Sequence, residues 1–147
     1  MKTKRGENMY NILVVDDDKE IVKAIEIYLS KEGYNTLKAY DGKQALNIVR
    51  DNTIHLAILD IMMPQIDGIQ LATKIREDYS FPIILLSAKS EDYDKIQGLN
   101  NGADDYITKP FNILEVKARM KAIMRRTNKR SEEENRRIIV QGDMKID

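Results

Sequence analysis

The sequence predicts an α/β protein, with five parallel strands in a doubly wound sheet and helices on both faces. Two observations predict it. Short apolar runs recur at Ile12-Leu13-Val14-Val15, Leu56-Ala57-Ile58-Leu59, Ile83-Ile84-Leu85-Leu86 and Tyr106-Ile107-Thr108, and between them apolar residues return at helical spacing. Runs without polar alternation are how strands read when helices cover both faces of a parallel sheet. Each run also stops at a residue that carries chemistry: Asp16-Asp17, Asp60, Ser87 and Lys109-Pro110. In open parallel sheets, function gathers at the carboxyl ends of the strands.

The elements follow in order. The spacing of Ile21, Ala24, Ile25, Tyr28 and Leu29 predicts a helix over Lys19 to Lys31, stopped by Gly33. Tyr34 to Tyr40 reads as a weaker, edge-like strand. Asp41-Gly42 turns into a helix carrying Ala45, Leu46 and Val49. After the Asp60 strand, Met62-Met63-Pro64 is a loop whose backbone matters more than its sulfur atoms, and Asp67 caps a helix with Ile69, Ala72 and Ile75. Ser90, with Glu91 and Asp92, opens a fourth helix through Ile96 and Leu99. Asn112 caps the last helix, with Val116, Met120 and Ile123. Such alternation implies right-handed crossovers.

Residues 1–8 form a polar, basic leader, residues 9–126 the folded domain, and residues 127–137 a charged linker without apolar periodicity. Ile138-Ile139-Val140, followed by Gly142 and Asp143, resumes strand character over 138–147. It reads as the opening hairpin of a further domain.

With 147 residues and 42% hydrophobic content, the chain can build one ordinary core. The absence of cysteine excludes disulfides, thiolate metal sites and cysteine nucleophiles. The balance of 24 basic and 24 acidic residues argues against this segment gripping nucleic acid, because duplex binding relies on phosphate neutralisation. The apolar runs are too short to span a bilayer, and no signal-peptide pattern opens the chain, so a cytoplasmic protein without membrane attachment is expected.

An aspartate ending a buried strand is as often a cap or turn residue as a site. The other strand ends change that balance. In the flavodoxin-like order 2-1-3-4-5, Asp16 and Asp17 lie beside Asp60, and three carboxylates that close repel unless a cation sits among them. Oxygen ligands without His or Cys favour magnesium. Magnesium keeps several waters and can hold a phosphoryl group against Asp60, whose carboxylate is a competent acceptor. Lys109 would neutralise the transferred group, and Ser87 would donate a hydrogen bond to it. The bland readings are a surface lysine and a loop cap. His55 reads as a surface or strand-edge residue, since no second histidine exists to build a metal site.

The motifs Val14-Val15-Asp16-Asp17, Leu59-Asp60-Ile61-Met62-Met63-Pro64, Leu86-Ser87-Ala88 and Lys109-Pro110-Phe111, in this order from Tyr10 to Arg126, resemble the receiver domain of bacterial two-component response regulators. The resemblance implies the CheY-like fold and phosphorylation of Asp60 by a sensor histidine kinase. It implies that Asp17, Asp60 and the Met62 carbonyl bind Mg2+, with Asp16 helping through water. It makes Ser87 and Tyr106 the conformational switch pair, and family members hold the Lys109–Pro110 bond cis. The stretch Gly98 to Tyr106 looks like the OmpR/PhoB transcription-factor class. That class forms a homodimer through its fourth helix, fifth strand and fifth helix, with charged positions falling here on Lys95, Asp105, Glu115 and Arg119. The class often has an acid where this chain has Asn100, facing the position of Lys121, and this is a departure. Promoter DNA would be bound by a C-terminal winged-helix domain, of which 138–147 looks like the start, and not by this fragment.

Two rival readings remain at this point. One is a phosphatase of the haloacid-dehalogenase type, which also uses an aspartate nucleophile, magnesium, a hydroxyl and a lysine. That class needs a second aspartate two residues after the first, where this chain has Met62. The other is a stand-alone adaptor, which the linker and the resumed strand argue against.

Overall fold

The computed structural model describes residues 10–88 and 102–126. In chain order these form β1 (Asn11–Val15), α1 (Lys19–Lys31), β2 (Asn35–Ala39), α2 (Gly42–Asp51), β3 (Leu56–Asp60), α3 (Gly68–Asp78), β4 (Ile83–Ser87) and β5 (Asp105–Thr108). Residues 113–126 are helical. The strands make one parallel sheet in the order β2-β1-β3-β4-β5, as the sequence predicts. The expected leader, fourth helix, linker and terminal hairpin lie outside the described residues, and so does Lys95.

The alternation of side chains along a strand sorts the core into two layers. Leu13 and Val15 of β1, Ala57 and Leu59 of β3, and Ile83 and Leu85 of β4 join Ala45 and Val49 of α2 and Leu71, Ala72 and Ile75 of α3 in one buried cluster. Ile12, Val14, Ile58 and Ile84 are equally buried but face the other way. α1 gives no residue to the first cluster, packs against β1 and β2, and buries Val22, Ile25 and Leu29. The fully apolar run of β1 thus has the cause inferred for it, and β3 and β4 are buried at every position. β5 departs from it: only Ile107 is buried and Thr108 is exposed, because an edge strand has less of its surface covered.

Side chains fix the helix ends. Asp18 accepts from the Glu20 N–H, Asp41 from the Gln44 N–H, and Asp67 forms a reciprocal capping box with Gln70. α1 ends as Gly33 requires. With φ at +87°, Gly33 donates to the Ser30 carbonyl, and Tyr34 reaches back to that of Leu29. Met63 differs from expectation, since its side chain joins the core between the sheet and α3. A thioether adapts to an irregular gap, so a residue in a loop can still fill the interior. His55 is tied down more firmly than a surface residue: its Nδ1 accepts from the Asn11 N–H at 2.9 Å, and its ring meets Tyr10 edge-on.

Arg76 of α3 serves backbone groups outside its own helix. Its guanidinium donates to the carbonyls of Tyr79, Phe81 and Gly102 and lies 3.5 Å from Asp104, which itself accepts from the Ile83 N–H. The planar fork holds the end of α3, the entry to β4 and the entry to β5 together. Arg76→Ala is expected to cost about 2–3 kcal/mol, since several partly buried carbonyls lose a charged donor. Arg76→Lys should recover under half of that, because one ammonium cannot span the three carbonyls. Urea denaturation measures both, and full recovery with lysine would reduce Arg76 to a surface charge.

The chain divides after Ile113 into two units. In the second, Val116, Met120 and Ile123 form the buried stripe of helix 113–126, with the predicted spacing. On that helix Arg119 lies 3.5 Å from Glu115, one turn away.

Candidate functional site

Parallel register brings the chemistry to one end of the sheet. Val15 pairs with Leu59, Asp60 with Leu86, and Ser87 with Thr108, so the residues that follow share one rim. Asp16 is wholly buried and Asp60 nearly so, while Asp17 is exposed. The Asp16 N–H donates to the Ala39 carbonyl, and its Oδ1 accepts from the Asp18 N–H at 2.9 Å. Lys109 is delivered from the far side: its N–H donates to the Ser87 carbonyl at 2.6 Å, and the Lys109–Pro110 bond is cis as the resemblance implies. Its ammonium lies 2.9 Å from Asp16 Oδ2 and 3.1 Å from Asp60 Oδ1, bridging the ends of β1 and β3.

Among the described residues, one ammonium faces three clustered carboxylates. Burial, then the charge of Asp16, pushes Asp60 up to about 6, against the pull of Lys109, and Asp17 adds to the rise. Burial alone would lower Lys109. Its hydrogen bond to Asp16 and the charges of Asp16 and Asp60 outweigh that and hold it above the usual lysine range.

The donor set fits a hard cation. Asp16, Asp17 and Asp60 each offer an oxygen, all within 4.8 Å of one another. Asp16 Oδ2 is buried and has the Lys109 ammonium 2.9 Å away. Three carboxylates this close carry more negative charge than the Lys109 ammonium offsets, and a divalent cation would balance it.

The remaining expected residues fall in three groups. Ser87 is buried at the end of β4, beside the strand that ends at Asp60. Tyr106 is half-buried in β5 and packs on the α2–α3 core layer. Met62 follows β3 with its side chain exposed. Asp105 opens β5, at the opposite end of that strand from this rim, and Glu115 and Arg119 belong to the helix of the second unit. Two contributors escaped the sequence reading. Asp18, which was given no role there, both caps α1 and donates its N–H to Asp16. Its signal was an aspartate immediately preceding an apolar-periodic stretch. A groove of about 500 Å3 adjoins the site, lined by Asp18, Glu20, Ile21, Ala24, Ala88, Lys109, Pro110 and Phe111. No sequence periodicity announces it, because its walls are far apart along the chain.

A sequence model described as the response regulator receiver domain matches residues 12–121. The chain belongs to the response regulator receiver domain family. This receiver domain is 48% identical over 131 residues to the response regulator GtcR of Aneurinibacillus migulanus, covering 89% of this chain and 54% of that one. It is 47% identical over 137 residues to the regulatory protein VanR of Enterococcus faecium, covering 92% and 59%. Among solved structures, the Francisella response regulator 1452 receiver domain superposes with a TM-score of 0.74 at 40% identity, over 80% of this chain and 98% of that one. A two-component response regulator from Clostridium difficile superposes with a TM-score of 0.77 at 33% identity, over 82% and 99%. The chain spans about half the length of the curated relatives it matches. Among the described residues, no helix is long and apolar enough to cross a membrane.

Proposed function

We propose that this receiver domain is the phosphorylation-controlled input of an OmpR/PhoB-type transcriptional regulator, with Asp60 as the acceptor and a sensor histidine kinase as the donor. The observation that carries the proposal is the Lys109 ammonium held between Asp16 and Asp60. A carboxylate at a strand end, with a fixed cation against it, suits a group that must receive a phosphoryl and keep its charge balanced.

In the step, an Asp60 carboxylate oxygen forms a bond to phosphorus as the bond from phosphorus to the donor's imidazole nitrogen breaks, and the imidazole leaves with its electron pair and takes a proton. Lys109 neutralises charge on the transferred group. Ser87 turns its hydroxyl toward a phosphoryl oxygen, and Tyr106 follows that movement. A magnesium ion held by Asp17, Asp60 and the Met62 carbonyl, with Asp16 acting through water, would supply positive charge at the phosphoryl oxygens. The groove beside Lys109 would give an apolar face of the kinase a seat next to Asp60. Output passes to promoter DNA through a domain beyond this segment, and the setting is the cytoplasm.

The domain acts on itself and has no metabolic substrate. A phosphatase of the haloacid-dehalogenase type would need an aspartate two residues after Asp60 to protonate the leaving group, and position 62 holds an exposed thioether. Incubation with acetyl phosphate and Mg2+ should add one phosphoryl mass, and chelation of the cation should prevent it. Labelling that persists without a divalent cation would remove the metal from the mechanism. Rapid turnover of a generic phosphate ester would revive the phosphatase.

A further inference from the structure

We propose that Gly68 is a positioning residue for phosphoryl transfer: its missing side chain lets the start of α3 rest directly on the Asp60–Ile61 peptide and so fixes the depth and direction of the Asp60 carboxylate. The proposal rests on the reading of Asp60 as the acceptor. A Cβ at Gly68 would overlap the Asp60 carbonyl oxygen and lie 2.8 Å from both the Asp60 carbonyl carbon and Ile61 Cα. All three obstacles are backbone atoms of the acceptor strand and its exit, which cannot swing aside as a flexible side chain can. Its φ is not in the left-handed region, so space and not backbone freedom demands glycine here.

The surrounding loop makes this contact a clamp. The Ile61 carbonyl accepts from both the Met63 and the Gly68 N–H groups, at 3.1 and 3.0 Å, so one oxygen ties the exit of β3 to the entry of α3. The Ile61 N–H in turn donates to the Leu86 carbonyl. The Pro64 carbonyl accepts from the Ile66 N–H, and Gln65 sits at a φ of +68°. The Asp67–Gln70 capping box holds the first turn of α3 in place. With this loop closed, a methyl group at position 68 has two outcomes: α3 lifts away, or the Asp60–Ile61 peptide moves. The second displaces the carboxylate from Asp16, Asp17 and Lys109 and turns the Met62 carbonyl as well.

Gly42 supplies an internal control. A Cβ there would meet Ile66, 2.9 Å from its Cβ and 3.1 Å from its Cγ2. This is a clash with the same loop, but against a side chain and not against the acceptor backbone. Gly42→Ala should therefore lower stability while leaving the acceptor's geometry in place.

The experiment compares the parent with Gly68→Ala, Gly42→Ala, Asp67→Ala and Asp60→Asn. It measures the labelling rate with acetyl phosphate at saturating Mg2+, the Mg2+ concentration giving half the maximal thermal stabilisation, and the melting temperature. Displacing a reacting group by about 1 Å can cost on the order of a hundredfold in rate. Gly68→Ala is expected to label at least about tenfold more slowly when fully folded and to need several-fold more Mg2+, whereas Gly42→Ala labels within about twofold of the parent. If Gly68→Ala does not fold, Asp67→Ala decides: it frees the start of α3 without adding atoms and should label about threefold more slowly or worse. A parental rate and Mg2+ requirement in a folded Gly68→Ala, or in Asp67→Ala if it stands in, overturns the proposal. Equal slowing in Gly42→Ala overturns it too, since general loosening would then suffice. Undiminished labelling of Asp60→Asn removes the acceptor reading itself, and the Gly68 proposal with it.

Discussion

Asp60→Asn is expected to abolish phosphoryl uptake and, in metal-free solution at neutral pH, to make the domain more stable than its parent. The first effect follows from losing the nucleophilic oxygen. The second follows from the charge count at the rim, where three carboxylates face one ammonium. The folded domain raises Asp60 from 3.8 to about 6. Between those values the folded state therefore holds a proton that the unfolded state has released. Stability from this group is complete below about pH 4 and is lost as the pH rises toward 6. A shift of about two pKa units caps the effect at about 3 kcal/mol, and neighbouring charges that readjust will reduce it. The substituted amide is uncharged and close in shape to the protonated acid. The variant should match its parent near pH 4 and exceed it by about 1–3 kcal/mol at pH 7. Millimolar Mg2+ should shrink the difference by binding the folded parent. Urea titrations across this range, with mass spectrometry for the label, measure both effects. A parent that stays the more stable at pH 7 without metal would show that the acidic cluster is satisfied from within.

Arg119→Glu is expected to block dimerisation of the phosphorylated domain while leaving labelling of Asp60 unchanged. In the proposed OmpR/PhoB-type dimer, Arg119 and Asp105 would pair across a two-fold interface, as would Lys95 and Glu115. A self-complementary surface repeats each contact, so one substitution damages two. Within one chain Arg119 already lies 3.5 Å from Glu115, with both side chains about two-fifths exposed. Such a pair contributes only about 0–1 kcal/mol, so it can exchange partners at little cost when a second copy arrives. The charges would set register, and apolar surface would supply affinity. Reversing the charge at position 119 puts like charges together at both ends of the interface. Adding Asp105→Arg should restore part of the association by reversing the pair. Sedimentation of phosphorylated samples reads the outcome, and parental dimerisation of Arg119→Glu would place the interface elsewhere.

The sequence disclosed the central strands and the rim residues for one physical reason: both are written locally. β1, β3 and β4 are short apolar runs that need cover on both faces, and Asp16, Asp60 and Ser87 stand where those runs stop. Alternation with helices then leaves few topologies, and the predicted order is the one observed. What stayed hidden depends on contacts between distant parts of the chain. Met63 enters the core because the loop after Asp60 folds back, which no pattern of loop residues foretells. Arg76 looks like any charge in the last turn of a helix until Gly102 and Phe81 come within its reach. Gly68 looks like an ordinary glycine beside a capping aspartate, and its meaning is the closeness of the Asp60 carbonyl upstream. The Tyr106-Ile107-Thr108 run is apolar enough to read as buried on both faces, although only Ile107 is buried at this edge of the sheet.

β3 is buried at all five positions and has a strand hydrogen-bonded on each side. In a cooperative domain, such a strand belongs to the last part of the structure to open, since its amides exchange only through near-global unfolding. The proposed acceptor, Asp60, is thus the final residue of a strand in the protected centre of the sheet. Charge added to or removed from it acts on the free energy of the whole domain. Distant surfaces can then respond without a dedicated chain of contacts, because every element that opens more easily than β3 has its equilibrium set against the same reference.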